Sequence, residues 1–195
     1  MSSVHALAAL ARRLNHERGA PPIPSLFFVT DPERTPDPCA IAQGLPRGSA
    51  IIYRHFGASE RAHIARKLAS IARSRSLLLL IAADPDLALR VGAAGVHWPQ
   101  ARLPAERGGG LVTAAAHDAD ALARAEALGV DACLLAPVLA TNSSSGNAPL
   151  GLFKAGQMAR RTRVPVIALG GVNARTARLL TGRGFAGLAG VEAFA

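Results

Sequence analysis

Several side chains that could do chemistry stand just after short apolar runs. His117 follows Leu111–Ala115 and could move a proton, because imidazole ordinarily titrates near neutral pH. Arg54 and His55 follow Ala50–Tyr53, and the guanidinium could hold an anion; its competing use is an ion pair with Asp31 or Asp84. Thr141, Asn142 and Ser143 open a polar stretch ending at Gly146, which could offer hydroxyl and backbone donors to an anion. Gly170 and Gly171 follow Val164–Leu169, and glycines there let backbone amides approach a phosphate closely. Gly190 and Val191 close the last apolar run and are grouped with them. Asp84, His97, Arg102 and Glu192 complete the candidates, each with an ordinary structural use. His97 could be a hydrogen-bonded histidine within a strand, and Asp84-Pro85 a helix start. Arg102 could be a solvated loop charge, and Glu192 a partner for one of the many arginines. A carboxylate about 4 Å from a phosphate costs ~4 kcal/mol at an effective dielectric of about 20. Glu192 turned inward would therefore favour a neutral or cationic ligand.

Other chemistries are excluded or disfavoured. Lys67 and Lys154, the two lysines, both lie away from the ends of the apolar runs, which argues against Schiff-base catalysis. Cys39 and Cys133 lack metal-ligand or redox spacing, and no metal site is expected from them. The net charge is +9, carried by 20 arginines that are mostly scattered, with short clusters at Arg12-Arg13 and Arg160-Arg161-x-Arg163. No aromatic residues interleave with those clusters to stack on bases, so a nucleic-acid partner is not expected. No apolar run approaches the roughly 20 residues needed to span a bilayer. The first segment puts His5 early and Arg12-Arg13 late, the reverse of a signal peptide. The expected location is the cytoplasm, with no membrane partner.

The candidates need a frame that brings strand ends together. Eight apolar runs recur at Ser25–Thr30, Ala50–Tyr53, Leu77–Ile81, Gly95–Trp98, Leu111–Ala115, Ala132–Pro137, Val164–Leu169 and Gly187–Val191. They are continuous rather than alternating, as in strands buried on both faces. Helical patterns separate them. Arg61–Arg73 sets Ile64, Leu68 and Ile71 on one face, and Asp118 caps a helix ended by Gly129. Pro149 opens a helix through Leu152 to Arg161, and Asn173 caps one through Leu180. The pattern predicts one α/β domain over 1–195, a short (β/α)8 TIM barrel with a helical extension over 1–24. The final helix is expected to be truncated, with the N-terminal helix (Met1 to Leu14) covering the gap. In such barrels the C-terminal strand ends carry the site.

Several segments together resemble the thiamine phosphate synthase family and its TenI-like thiazole tautomerase relatives. They are LFFVTD (26–31), DLALRVGAAGVHWPQ (86–100), Ala116-His117, GVDACLLAPV (129–138) and PVIALGGVNA (165–174). The resemblance implies a thiazole or thiazole phosphate ligand. Synthases of this family couple that phosphate to a pyrimidine pyrophosphate with the help of magnesium. The family's Asn-Asp pair aligns with Ala82-Ala83, and its second metal aspartate with Arg102. The loop lysines are lost at Phe56 and Ser144, and a serine is lost at Ala115. His117 matches the histidine that transfers a proton in the tautomerases. The resemblance thus favours metal-independent tautomerisation, with no cofactor and His117 as the catalytic group. One alternative is the synthase reaction in a rebuilt site using Arg54 and Arg102, for which Mg²⁺ would still be needed. The other is a small-molecule-binding barrel without catalysis. Relatives also suggest a homodimer.

Overall fold

The structure is a computed structural model that describes residues 3–141 and 148–194. The eight strands are β1 (Leu26–Val29), β2 (Ala50–Tyr53), β3 (Leu78–Ala82), β4 (Gly95–Trp98), β5 (Leu111–Ala116), β6 (Ala132–Leu135), β7 (Val166–Ala168) and β8 (Gly187–Gly190). Each pairs in parallel with the next, and β8 returns to β1 with Phe27 opposite Ala189, closing the barrel. Closure leaves no exposed strand edge.

Alternation along each strand explains the continuous apolar runs. Phe27, Val29, Ile52, Leu80, Leu134 and Ile167 form one cluster inside the barrel. The residues between them point outward. Phe28, Ile51, Tyr53, Leu79 and Ile81 pack under α2 (Pro38–Gly44), α3 (Arg61–Arg75) and α4 (Pro85–Val91). On the other side α1 (Ser3–Arg18), α5 (Ala119–Leu128) and α6 (Leu152–Arg161) cover Leu26, Val112, Leu135 and Val166. Both faces of every strand are therefore dry, as the sequence required.

The N-terminal helix α1 runs to Arg18, past the expected Leu14, and buries Leu7, Ala8, Ala11 and Leu14 against β8 and β1. It occupies the position where a helix after β8 would pack. Among the described residues β8 is followed by a 3-10 turn, Glu192–Phe194, whose Phe194 ring meets Phe28 edge-on at 5.8 Å. Among the described residues no helix is long and apolar enough to cross a membrane.

Three expected details differ. Between β4 and β5 stands a 3-10 turn, Gln100–Arg102, followed by a Pro- and Gly-rich loop that cannot sustain a helix. Arg107 fastens that loop, donating from Nη2 to Asp131 (2.6 Å) and from Nε to the Gly129 carbonyl (2.8 Å). Asn173 caps no α-helix; its side chain accepts from the Arg175 and Thr176 N–H groups, and a 3-10 turn, Ala177–Leu180, follows. Finally, α6 begins at Leu152 behind Gly151, beyond Pro149. Asp118 does cap α5, accepting from the Ala121 N–H at 2.7 Å.

Candidate active site

A cavity of about 490 Å³ opens at the C-terminal strand ends. Val29, Leu134 and Ala189 form its apolar floor, continuous with the barrel interior. Two halves of the mouth differ in kind.

The half built from β5 to β8 is ordered by backbone. His117 sits between β5 and α5, half-buried, with its ring on the cavity wall. Its Nδ1 lies 2.6 Å from the Ala136 carbonyl oxygen. A carbonyl only accepts, so Nδ1 carries the hydrogen, and the neutral ring keeps its lone pair on Nε2. The backbone is fixed as well, because the His117 N–H donates to Gln100 Oε1 at 2.8 Å. Gln100 in turn donates from Nε2 to Asp118 (3.1 Å). The hydrogen bond from the Ala121 N–H, with that from Gln100, holds the Asp118 carboxyl below its ordinary range against a small burial penalty. A single glutamine thus ties the histidine to the helix cap.

Gly170 and Gly171 line the same half in left-handed backbone, at φ 92° and 66°. A Cβ on Gly170 would lie 2.8 Å from Pro137, and one on Gly171 only 2.5 Å from the Ala140 carbonyl oxygen. No other residue fits this turn. Neither glycine N–H donates to an acceptor among the described residues, and adjacent amides of this kind form an anion nest. The Gly170 carbonyl accepts from the Leu139 N–H, and Thr176 Oγ1 donates to the Gly171 carbonyl at 2.7 Å. Gly190, Val191 and Thr141 also line the cavity.

The half built from β1 to β4 is ordered by side chains that neutralise one another. Arg54 donates from Nε to the Thr30 carbonyl (3.0 Å) and pairs with Asp31 at 3.5 Å. Asp31 is shared with Arg34 at 2.9 Å, and Arg34 reaches Glu192 at 3.9 Å. Burial acts to raise the Asp31 carboxyl, but hydrogen bonds from the Arg34 side chain and backbone outweigh it and leave the group below its ordinary value. Burial lowers the Arg54 guanidinium, while Asp31 pulls it back up. Glu192 is 64% exposed and lies 3.9 Å from Arg34, on the wall of the same cavity as the glycine turn. Arg34 offsets part of its charge.

His97 lies deeper, on the inner face of β4, with Nδ1 2.9 Å from Thr113 Oγ1. Burial, reinforced by the charge of Arg54, pushes its pKa down to about 3, so the ring is neutral at physiological pH. His55 is buried behind the rim against Tyr53, ring centroids 4.9 Å apart, and does not line the cavity. Burial also lowers its pKa. Tyr53 Oη, His55 Nε2 and Arg61 Nη1 are all buried without a partner among the described residues.

Asp84 and Arg102 also lie off the cavity wall. Asp84 caps α4 by accepting from the Leu87 N–H at 2.9 Å, and its other oxygen is 3.7 Å from Arg61. Arg102 lies over the Phe56 ring at 5.7 Å, with Arg61 at 5.3 Å. The cavity thus takes in His117, Arg54, His97, Thr141, Gly170, Gly171, Gly190, Val191 and Glu192. Asn142 and Ser143 lie outside the described residues. Residues not singled out in the sequence also line it: Arg34, Phe56, Gln100 and Asn173. Gln100 stood at the end of the run 86–100, and Arg34 stands three residues after Asp31. The signals were present but had no partner to give them meaning.

Fold and cavity define a barrel of the TIM type with a pocket at its strand ends. The sequence from 26 to 194 matches the family model described as thiamine monophosphate synthase (TMP-TENI), and the chain belongs to this family. It is 30% identical over 184 residues to a thiamine-phosphate synthase of Chlorobium luteolum, covering 89% of this chain and 86% of that protein. It is 33% identical over 129 residues to a thiamine-phosphate synthase of Prochlorococcus marinus, of which that stretch is only 36%. In fold it resembles the thiamine phosphate pyrophosphorylase of Pyrococcus furiosus, with a TM-score of 0.72 and 24% identity over 85% of this chain and 84% of that one.

Proteins of this family typically use magnesium. The residues here do not fit it. Ala82 and Ala83 supply no ligand side chain, the Asp84 carboxylate is engaged by α4 and Arg61, and Arg102 is a cation. Among the described residues no group of three or more His, Cys, Asp and Glu is placed to hold a metal ion. Hard divalent cations require several oxygen ligands.

Proposed function

We propose that this protein binds a thiazole or thiazole phosphate at the strand ends and isomerises it without a metal, as a tautomerase. The observation that carries this is the His117 hydrogen bond from Nδ1 to the Ala136 carbonyl, which leaves Nε2 as the basic nitrogen. In a tautomerisation the base removes a proton from one ring atom of the ligand and returns it to another. Nε2 would accept that proton, becoming imidazolium, and then release it, so the enzyme ends unchanged. The Ala136 carbonyl favours the charged intermediate by accepting from Nδ1–H. Such general acid–base catalysis typically contributes about 10²–10⁴-fold in rate. The Gly170-Gly171 amides would hold the phosphate, supported by Arg54 from the far side, while the apolar floor excludes water from the ring.

Calorimetric titration with thiazole phosphate, with and without Mg²⁺, followed by an isomerisation assay on His117→Asn, tests this. Binding indifferent to Mg²⁺ and turnover lost in the variant are expected. Saturable binding without turnover in the parent would instead make the barrel a binding protein. The relatives' names favour a second function, thiamine phosphate synthesis in a rebuilt site. Mg²⁺-dependent release of pyrophosphate from the two synthase substrates would establish it in place of the first.

A further inference from the structure

The stretch from Ala189 to Ala193, at the end of β8, lines the strand-end cavity without a break, and Glu192 is its charged member. Packing on both sides sets its place. A Cβ on Gly190 would lie 2.8 Å from Ala193 Cβ, so the turn closes tightly over that glycine. Two residues after Glu192, the Phe194 ring is held edge-on against Phe28 at 5.8 Å. The same cavity is lined by Gly170 and Gly171.

The two acids of the mouth differ in kind. Asp31 does not line the cavity, and its oxygens are spent. They meet Arg34 at 2.9 Å and Arg54 at 3.5 Å, and one accepts from the Glu33 and Arg34 N–H groups. Glu192 accepts no hydrogen bond among the described residues, and its contact with Arg34 is longer, at 3.9 Å. An exposed pair of that length offsets little of the charge. Arg34 and Arg54 both line the cavity but share Asp31, so one positive charge would be in excess without Glu192. The Gly170 and Gly171 N–H groups, which donate to no acceptor among the described residues, suit an oxyanion. A phosphoryl group placed there gains from those donors and is repelled by the carboxylate. A ligand ending in a hydroxyl meets the donors without the repulsion.

We propose that Glu192 is a specificity-determining residue: it lowers the affinity of the strand-end site for a phosphorylated ligand without lowering that for the unphosphorylated form. The choice of thiazoles as the paired ligands rests on the function proposed above, whereas the effect of the carboxylate on a phosphoryl group does not.

Amide-resolved NMR titration at constant ionic strength tests this, with the Gly170 and Gly171 signals as the readout. The probes are inorganic phosphate, thiazole phosphate and the unphosphorylated thiazole. Glu192→Gln should tighten both phosphates by about tenfold, as losing one unit charge several ångströms from a dianion does at an effective dielectric of about 20. The unphosphorylated thiazole should stay within about twofold, since it has no charge to be repelled. Glu192→Ser should reproduce the pattern, and raising the salt should shrink the gain. Equal gains for the two thiazoles, a bound phosphate that gains nothing, no phosphate-induced shift at the two glycines, or a gain indifferent to salt would each overturn the assignment. If inorganic phosphate gains while neither thiazole binds, the thiazole reading falls and the role of Glu192 stands.

Discussion

The two halves of the mouth solve the same problem with different materials. From β5 to β8 the donors are backbone groups: two glycine amides and a histidine tautomer set by a carbonyl. From β1 to β4 they are side chains, and the chain Arg54–Asp31–Arg34–Glu192 balances two positive against two negative charges. Backbone donors cannot be neutralised by a neighbouring substitution, whereas side-chain cations can. The first half presents two glycine N–H groups without an acceptor among the described residues, while the second pairs its charges with one another.

The largest expected effect concerns the first half. His117→Asn should lower isomerisation by about 10²–10⁴-fold while ligand affinity stays within a few-fold, measured by turnover and calorimetry. Turnover equal to the parent would remove His117 from the chemistry.

The second effect concerns His97, where the halves meet. Its folded-state pKa is about 3 against an ordinary 6.5. Between those values the unfolded chain binds a proton that the folded chain does not. Stability therefore rises with pH across that window and falls on acidification. The full difference is about 3–5 kcal/mol. Denaturant unfolding from pH 7 down to 4 should show this slope, and His97→Gln should flatten it. An unchanged slope would place the acid sensitivity elsewhere.

Gly171→Ala places a Cβ 2.5 Å from the Ala140 oxygen in left-handed backbone. A stability loss of about 2–3 kcal/mol is expected, with thiazole phosphate binding weakened further than stability alone explains. Asp31→Asn works on the other half by freeing Arg54 and Arg34. Inorganic pyrophosphate should then bind several-fold more tightly, and salt should weaken that gain. If affinity does not change, the rim is not held neutral by Asp31.

The smallest effect is at Ala83, which sits at φ 50° where the family has a metal-binding pair. Left-handed backbone costs an alanine about 1–2 kcal/mol, and asparagine tolerates it better. Ala83→Asn should raise stability by about 0.5–1 kcal/mol, read as a higher Tm, without creating magnesium-dependent binding.

Much of the barrel was legible because burial on both faces writes itself into each strand as an unbroken apolar run. The runs Ser25–Thr30 and Ala132–Pro137, which hold β1 and β6, could be read without neighbours, as could the caps Asp118 and Gly129, whose effects are local. The turn after Asn173 was harder, since Thr176 reaching the Gly171 carbonyl accompanies its lack of an α-helix.

The candidate site divides along the same line. By itself the sequence determined the barrel, the glycine turn and the presence of a histidine at a strand end, because each depends on residue type and short spacing. Only the tertiary structure decided which nitrogen of His117 is basic, that Glu192 meets Arg34, and that His55 lies behind the wall. The first two are set by partners 19 and 158 residues away in the chain, His117 with Ala136 and Arg34 with Glu192. Hydrogen bonds and ion pairs act over a few ångströms of space, and no spacing in the sequence encodes which groups the closed barrel brings within that reach.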